Sequence, residues 1–220
     1  MSSQEAKKGI NSMARYIGPV CRLCRREGVK LFLKGRKCET AKCILERRPS
    51  LPGMHGQKKA KTSDYGVQLR EKQKLKRFSG MLEKQFKNSF FEAARQKGVT
   101  GDNLLAILNL RLDNVILQSG FGISRRHARQ LVSHGHIVVN NHKVSIPSFI
   151  TKQGDKIEIR GVGKSKDRVR EFLEITEPRK IPEWLKVSKE NLTAEILRKP
   201  ERMDFDFPIQ ETMIVELYSK

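Results

Sequence analysis

Four cysteines, Cys21, Cys24, Cys38 and Cys43, are the only ones in a chain of 220 residues, and they are separated by two, then thirteen, then four positions. A tight Cys-x-x-Cys knuckle closed by a second pair across a short excursion supplies the ligands of one tetrahedral metal site. Zn²⁺ suits it best, because four thiolates at about 2.3 Å complete a structural zinc shell and leave no open position for water or substrate. The expectation is therefore a scaffolding ion and not a catalytic one. Arg22, Arg25, Arg26, Lys37 and Lys42 surround the cysteines and favour their thiolate forms. The other uses of four cysteines are two disulfides or a set of unpaired buried thiols. Residues 1–12 are polar and carry no apolar run of the secretory kind, so the reading expects a soluble protein in a reducing compartment.

Charge bounds the partner. The formal net charge is +21, more than solubility needs, and it points to a polyanion, with nucleic acid ahead of an anionic membrane surface. The charge is unevenly spread. Residues 13–80 hold 19 Lys or Arg against 5 Asp or Glu, residues 81–170 carry a further +9, and residues 171–220 hold 8 basic against 11 acidic side chains. An excess of that size in the first half repels itself unless an anion lies nearby. The C-terminal segment instead ends in Met213, Ile214, Val215 and Leu217 and is built to pack on protein, so it is expected to fold back onto the first half. No stretch approaches the roughly 18 consecutive apolar residues of a membrane span.

Periodicity then divides the chain. Residues 1–12 read as a disordered extension and 13–50 as the knuckle region. The stretch Arg47–Gly56, with two prolines and two glycines, reads as a loop, followed by a basic lip of Lys58, Lys59 and Lys61. From Ser63 or Asp64, either of which can cap a helix, Val67, Leu69, Leu75, Phe78, Met81, Leu82 and Phe86 fall at helical spacing, with Arg70, Lys72, Lys74, Lys76 and Arg77 on the remaining face. A helix is predicted over Leu104–Asn114 with Arg111 on its outer side. A shorter one is predicted from Ser124, stopping at Gly135. On that second helix Ala128, Leu131 and Val132 form the docking strip, and Arg125, Arg126 and Arg129 fall on an adjoining sector suited to phosphate. His136–Ile146, turning at Asn140-Asn141, reads as a β-hairpin, since Asn tolerates the positive φ of a two-residue turn. Lys156–Arg160 reads as a further strand. Gly163-Lys164-Ser165 matches part of a nucleotide-binding loop but lacks the four-residue gap after a preceding glycine, and is set aside as coincidence. The fold class is α+β. A mainly helical domain (51–105, completed by 196–220) follows the knuckle, and a mixed RNA-binding domain (106–195, core 109–175) carries a short antiparallel sheet.

These residues carry a resemblance. Met13-Ala14-Arg15-Tyr16-Ile17-Gly18-Pro19, Ser63 through Lys74, Arg111-Leu112-Asp113-Asn114-Val115, Phe121-Gly122, Ala128 through His134, and the ending Ile214 through Lys220 together resemble the bacterial-type small-subunit ribosomal protein S-four family. Members of that family differ in whether they keep the cysteines, and this chain is similar to the zinc-bearing kind. The resemblance implies a structural component of the small subunit that binds its 16S-type ribosomal RNA early in assembly, at a junction of helices. It also implies contact with neighbouring ribosomal proteins, S-five above all, and an influence on decoding accuracy. By carry-over, the RNA-binding residues are Arg22, Arg25, Arg26, Arg47, Arg48, Tyr65, Gln68, Arg70, Lys72, Lys74 and Arg77 in the first part. In the second they are Arg111, Arg125, Arg126, Arg129, His134 and Lys143. Tyr65 serves equally as a staple and His134 equally as a helix cap. The loop with His55, Lys58, Lys59 and Lys61 is similar to one near the entrance of the messenger channel.

Two other classes compete. Small modules resembling residues 109–175 also occur attached to RNA-modifying enzymes, but no further catalytic domain is left in this chain. Its five histidines and scattered carboxylates form no acid–base or nucleophile constellation, and the cysteines lack the His-x-Glu companion of a zinc deaminase. No enzymatic activity is therefore expected. A stand-alone RNA-binding regulator or assembly chaperone is the remaining alternative.

Overall fold

The computed structural model describes residues 15–54, 56, 61, 63–160, 169–174 and 180–219. The expected extension over 1–12, His55, Lys58, Lys59 and the Gly163-Lys164-Ser165 loop lie outside the described residues. Two hydrophobic cores organise the rest, joined end to end.

The first core belongs to helices. α1 (Cys21–Glu27), a 3₁₀ turn (Gly35–Cys38) and α2 (Ile44–Arg47) precede the long helices α3 (Asp64–Phe78), α4 (Glu83–Arg95) and α5 (Thr100–Asn109). Ser63 caps α3, its hydroxyl accepting a hydrogen bond from the Gly66 amide at 3.2 Å, so of the two candidate caps the serine is used. Leu31, Leu75, Phe86, Phe90 and Leu104 fill the core together with Phe205, Phe207, Ile209 and Ile214 from the far end of the chain. That C-terminal return includes a 3₁₀ turn (Arg202–Asp204) and α9 (Glu211–Ser219), which packs against α3 and α5. Phe78 stacks on Phe207 with ring centroids 4.1 Å apart, and Phe90 on Tyr218 at 4.3 Å. The acidic terminal segment thus folds back, as its apolar residues suggested.

The second core lies between α6 (Leu112–Gln118), α7 (Arg125–Ser133), a helical stretch α8 over 169–174, and a sheet. The sheet runs β2 (His142–Lys143), β1 (Ile137–Val139), β3 (Lys156–Ile159), β5 (Thr193–Ile196), β4 (Leu185–Ser188) in spatial order, with every neighbouring pair antiparallel. The β1–β2 hairpin turns at Asn140 and Asn141, both with positive φ (48° and 66°), in the register Val139 opposite His142. Ser124 caps α7, accepting from the His127 amide at 3.3 Å, and Gly135 follows the helix in the left-handed region.

The structure corrects the helix predicted over Leu104–Asn114. α5 ends at Asn109, and Arg111 adopts an extended backbone (φ −65°, ψ 134°) that bridges to Ile150. The backbone amide and hydroxyl of Thr151 both donate to the Leu110 carbonyl, at 2.9 and 2.8 Å, and the Leu112 amide donates to the Phe149 carbonyl at 2.8 Å. The break follows from packing: Ile107 and Leu108 belong to the first core, whereas Leu112 and Val115 belong to the second, and one straight helix cannot face both. Arg111 therefore lies inside the joint, only 3% exposed, and not on an outer helix face. Strands β4 and β5 and helix α8 were not anticipated. β5 pairs with β3 across a long sequence gap, and four-residue strands leave little periodicity to read.

The knuckle region is welded to both cores. Val20, Cys24, Leu31 and Leu33 are part of the first. At Gly35 (φ +63°) an added Cβ would fall far inside contact distance of the Ile123 carbonyl oxygen, in the turn before α7. Gly28 (φ +69°) has nothing within 4 Å of that position. Both glycines avoid the penalty of about 1–2 kcal/mol that a side chain incurs in the left-handed region, but only Gly35 also avoids a backbone clash. Gly35→Ala should therefore lower the thermal midpoint clearly more than Gly28→Ala, as followed by circular dichroism melting of the two variants side by side.

Candidate nucleic-acid interface

At the joint, Asp113 is held by two arginines. Arg111 donates to it twice, Nε to Oδ1 at 3.2 Å and Nη2 to Oδ2 at 2.8 Å, and Arg129 Nη1 donates to Oδ2 at 3.2 Å. All three residues are buried. Burial pulls the Arg129 guanidinium below its ordinary pKa, partly offset by Asp113. Helical spacing places Arg125, Arg126 and Arg129 on one outward sector, but the structure turns Arg129 inward because its neighbour on α6, Asp113, is a carboxylate.

Arg125 spans the two domains. Its guanidinium lies 4.2 Å from the ring centroid of Phe78 at the end of α3, and its Nη1 donates to Asn114 Oδ1 at 2.5 Å. Desolvation between the domains pushes its pKa down to about 10, where it still stays charged. A cation held over a ring and shielded from water is worth about 2 kcal/mol. Arg126 is exposed, and its Nη2 donates to the Tyr16 and Gly18 carbonyls at 3.2 and 3.1 Å, tying the start of the described chain to α7.

Between these contacts lies a cavity of about 220 Å³. Its floor is apolar and its walls hold Arg15, Lys76, Arg77, Arg125, Arg126 and Arg129 with Asp113 as the lone carboxylate. The domains thus enclose a concave cleft with a cationic wall.

Other candidates divide by whether they are already engaged. Arg25 is structural: it donates to the Ser50 carbonyl at 2.8 Å and the Leu51 carbonyl at 3.1 Å, closing the loop behind the knuckle. Arg70 and Arg77 converge on Glu27, whose side chain is wholly buried, and burial raises that carboxyl's pKa against the pull of both arginines. Lys72 bonds Glu83 at 2.6 Å, Lys74 pairs with Glu71, and Gln68 is buried and donates to Glu216 at 2.9 Å, linking α3 to α9. Desolvation works against ionisation of Glu83, but hydrogen bonds from Lys72 and Lys76 hold its pKa down to about 2. Arg22, Arg26, Arg47, Arg48, Lys61, Tyr65, His134 and Lys143 are exposed. Lys143 drapes over Gly135 at the C-terminal end of α7, a favourable place for an ammonium beside the helix dipole.

The four cysteines are free thiols, with Cys24, Cys38 and Cys43 buried. Burial pushes the Cys24 and Cys38 thiols up, and the fields of the neighbouring cysteines push them further, so the four lie within electrostatic reach of one another. Backbone hydrogen bonds at Leu31 and Lys34 act the other way on these two sulfurs. As placed, no group of three or more His, Cys, Asp or Glu side chains among the described residues is gathered to hold a metal ion.

The joint predicts a large cost for one small change. Asp113→Asn removes the charge that Arg111 and Arg129 share and leaves two buried cations uncompensated, a class of lesion worth about 3–5 kcal/mol. Urea unfolding of this variant should show a loss of that order, while Asp155→Asn, at the half-buried turn before β3 where it accepts from Asn140 and the Lys152 amide, should cost less.

Comparison with known proteins gives two matching family models, the ribosomal protein S4/S9 N-terminal domain over residues 15–109 and the S4 domain over residues 110–157. The border between them coincides with the break at Leu110 and Arg111. Among curated relatives, the small ribosomal subunit protein uS4 of Thermoanaerobacter sp. (strain X514) is 55% identical over 208 residues, covering 94% of this chain and 100% of the relative. Small ribosomal subunit protein uS4 of Thermodesulfovibrio yellowstonii is 54% identical over 208 residues, and that of Thermus thermophilus 51% over 209, with the same coverages.

Proposed function

We propose that this chain, which belongs to the uS4 family of small ribosomal subunit proteins, engages ribosomal RNA through the cleft between its two domains. Membership makes it a structural component of the ribosome with an RNA-binding S4 domain, and not an enzyme. The single observation that carries the cleft reading is its wall of five arginines and a lysine around one carboxylate. The exposed cations Arg22, Arg26, Arg47, Arg48, Lys61 and Lys143 extend the surface on either side.

The physical route is phosphate neutralisation with release of counterions, which makes affinity fall steeply with salt. Guanidiniums add bidentate, charge-assisted hydrogen bonds. A-form RNA hides its bases in a deep, narrow major groove, so the shape of a helix junction, and not its sequence, is what such a surface reads. Fixing the angle between the two domains fixes the angle between the RNA helices they touch, and that is how the protein acts early in assembly of the subunit. Arg111 and Arg129 support the surface from within, and Arg125 and Arg126 set the domains against each other. The proposal extends to S-five as a protein neighbour, to the basic lip at Lys58, Lys59 and Lys61 as a grip on messenger RNA at the channel entrance, and to an effect on accuracy.

Zinc belongs to the same proposal. Cys21, Cys24, Cys38 and Cys43 are an all-cysteine donor set of the structural kind, none is consumed in a disulfide, and backbone hydrogen bonds at Leu31 and Lys34 partly offset the burial that raises the Cys24 and Cys38 thiols. Bound there, Zn²⁺ would cross-link α1 to the turns that follow it. Protein purified from its own cells should carry one zinc per chain by elemental analysis, and Cys24→Ser should abolish it; a metal-free native protein would remove the site.

For the RNA surface, Arg47→Gln with Arg48→Gln removes two exposed charges without touching either core. Filter binding to small-subunit ribosomal RNA should weaken, and the slope of log affinity against log salt should flatten by about one per lost phosphate contact. An unchanged slope would take these residues off the interface.

A further inference from the structure

The geometry points to a seat for a single unstacked nucleotide in the cleft between the domains, its base on the apolar floor and its phosphate on the arginine rim. This rests on the RNA-binding reading above and names which part of an RNA the cleft takes.

Size is the first argument. At about 220 Å³ the cavity falls below the ~300–1,000 Å³ of pockets for drug-sized ligands. It admits one flat ring system with its charged group at the mouth, and no double helix. Chemistry is the second. Val20, Leu33 and Met81 are buried parts of the first core, and with Leu23 they give the cavity an apolar floor. Such a surface is wasted on a phosphate and suits the faces of a base. Tyr16 stands at the mouth, 42% exposed, with an aromatic ring in reach of the same space. Base stacking on such a ring tolerates any base.

Charge is the third argument. Asp113 is already taken by Arg111 and Arg129, Arg77 is paired with Glu27 and Lys76 with Glu83, which leaves Arg15, Arg125 and Arg126 on the rim without an ion pair among the described residues. Burial lowers Arg77 and Arg129; Glu27 and Asp113 partly offset this, while like-charged neighbours, Arg70 and Arg26 for the first, Arg111 and Arg15 for the second, add to the lowering. Among the described residues Arg15 makes no ion pair. A phosphate at the rim relieves this repulsion, while the base displaces water from the floor. A solvated anion alone answers the rim and leaves the floor wet.

The test is carbon-13 methyl NMR of the full chain, reading Met81 on the cavity floor during titration with adenosine 5′-monophosphate, and with inorganic phosphate at matched ionic strength. The expected result is a saturable shift of the Met81 methyl with the nucleotide and not with phosphate. Tyr16→Ala, which leaves the backbone carbonyl that Arg126 uses, should weaken nucleotide binding roughly tenfold. No Met81 shift, a shift equally produced by phosphate, or unchanged affinity in Tyr16→Ala overturns the proposal. Adding small-subunit ribosomal RNA to the nucleotide-saturated protein identifies the source. Displacement assigns the seat to a nucleotide of the RNA, and simultaneous binding assigns it to a free nucleotide. Filter binding of the RNA without nucleotide is scored separately, so that failure of RNA binding itself is told apart from failure of the seat.

Discussion

Asp113 accepts three hydrogen bonds from two buried arginines at the place where the chain leaves one core for the other, and the geometry of the molecule is built around that demand. A carboxylate and two guanidiniums in a dry joint are stable only as a set, because each charge removed from water needs the others. The break between α5 and α6, imposed by packing on two cores, lets Arg111 swing inward, and α7 sits close enough for Arg129 to reach. Once α7 is placed, Arg125 lands on Phe78 and Arg126 on the carbonyls of Tyr16 and Gly18.

This arrangement makes one helix serve two ends. α7 docks into the second core by Ala128 and Val132 and uses its arginines as struts toward the first domain. An ordinary RNA-binding helix would spend such guanidiniums on phosphate. Here the struts are part of the cleft wall and fix its shape, and the cleft with the exposed cations beside it is the surface we propose for RNA.

Much of this was legible in the residues. Ser63 and Ser124 announced their helices because a cap is a local hydrogen bond. Asn140-Asn141 announced the hairpin because few residues accept positive φ in succession. The C-terminal return could be read from Ile214, Val215 and Leu217 set in an acidic segment. What escaped depends on partners far along the chain. Leucine spacing runs across Leu110 and Arg111 without a mark, since the break is imposed by Phe149, Ile150 and Thr151. β5 owes its strand to β3. A helical wheel places Arg129 beside Arg125 and Arg126 but cannot know that Asp113 waits on one side only. Gln68 and Arg25, read as RNA contacts, are occupied by Glu216 and by the Ser50 and Leu51 carbonyls. Composition tells how many charges a chain carries, and only the fold tells which ones are already spent.

The central claim is that RNA lies against the cleft and the basic surfaces flanking it. Ultraviolet cross-linking of assembled small subunits, with mass spectrometry to locate the attached nucleotides on this protein, tests it most directly. The account predicts attachment sites at Tyr16, along the Arg22–Arg48 surface and around Arg126 and Lys143. Attachment confined to the acidic C-terminal segment between residues 180 and 219, with the cleft bare, would contradict it.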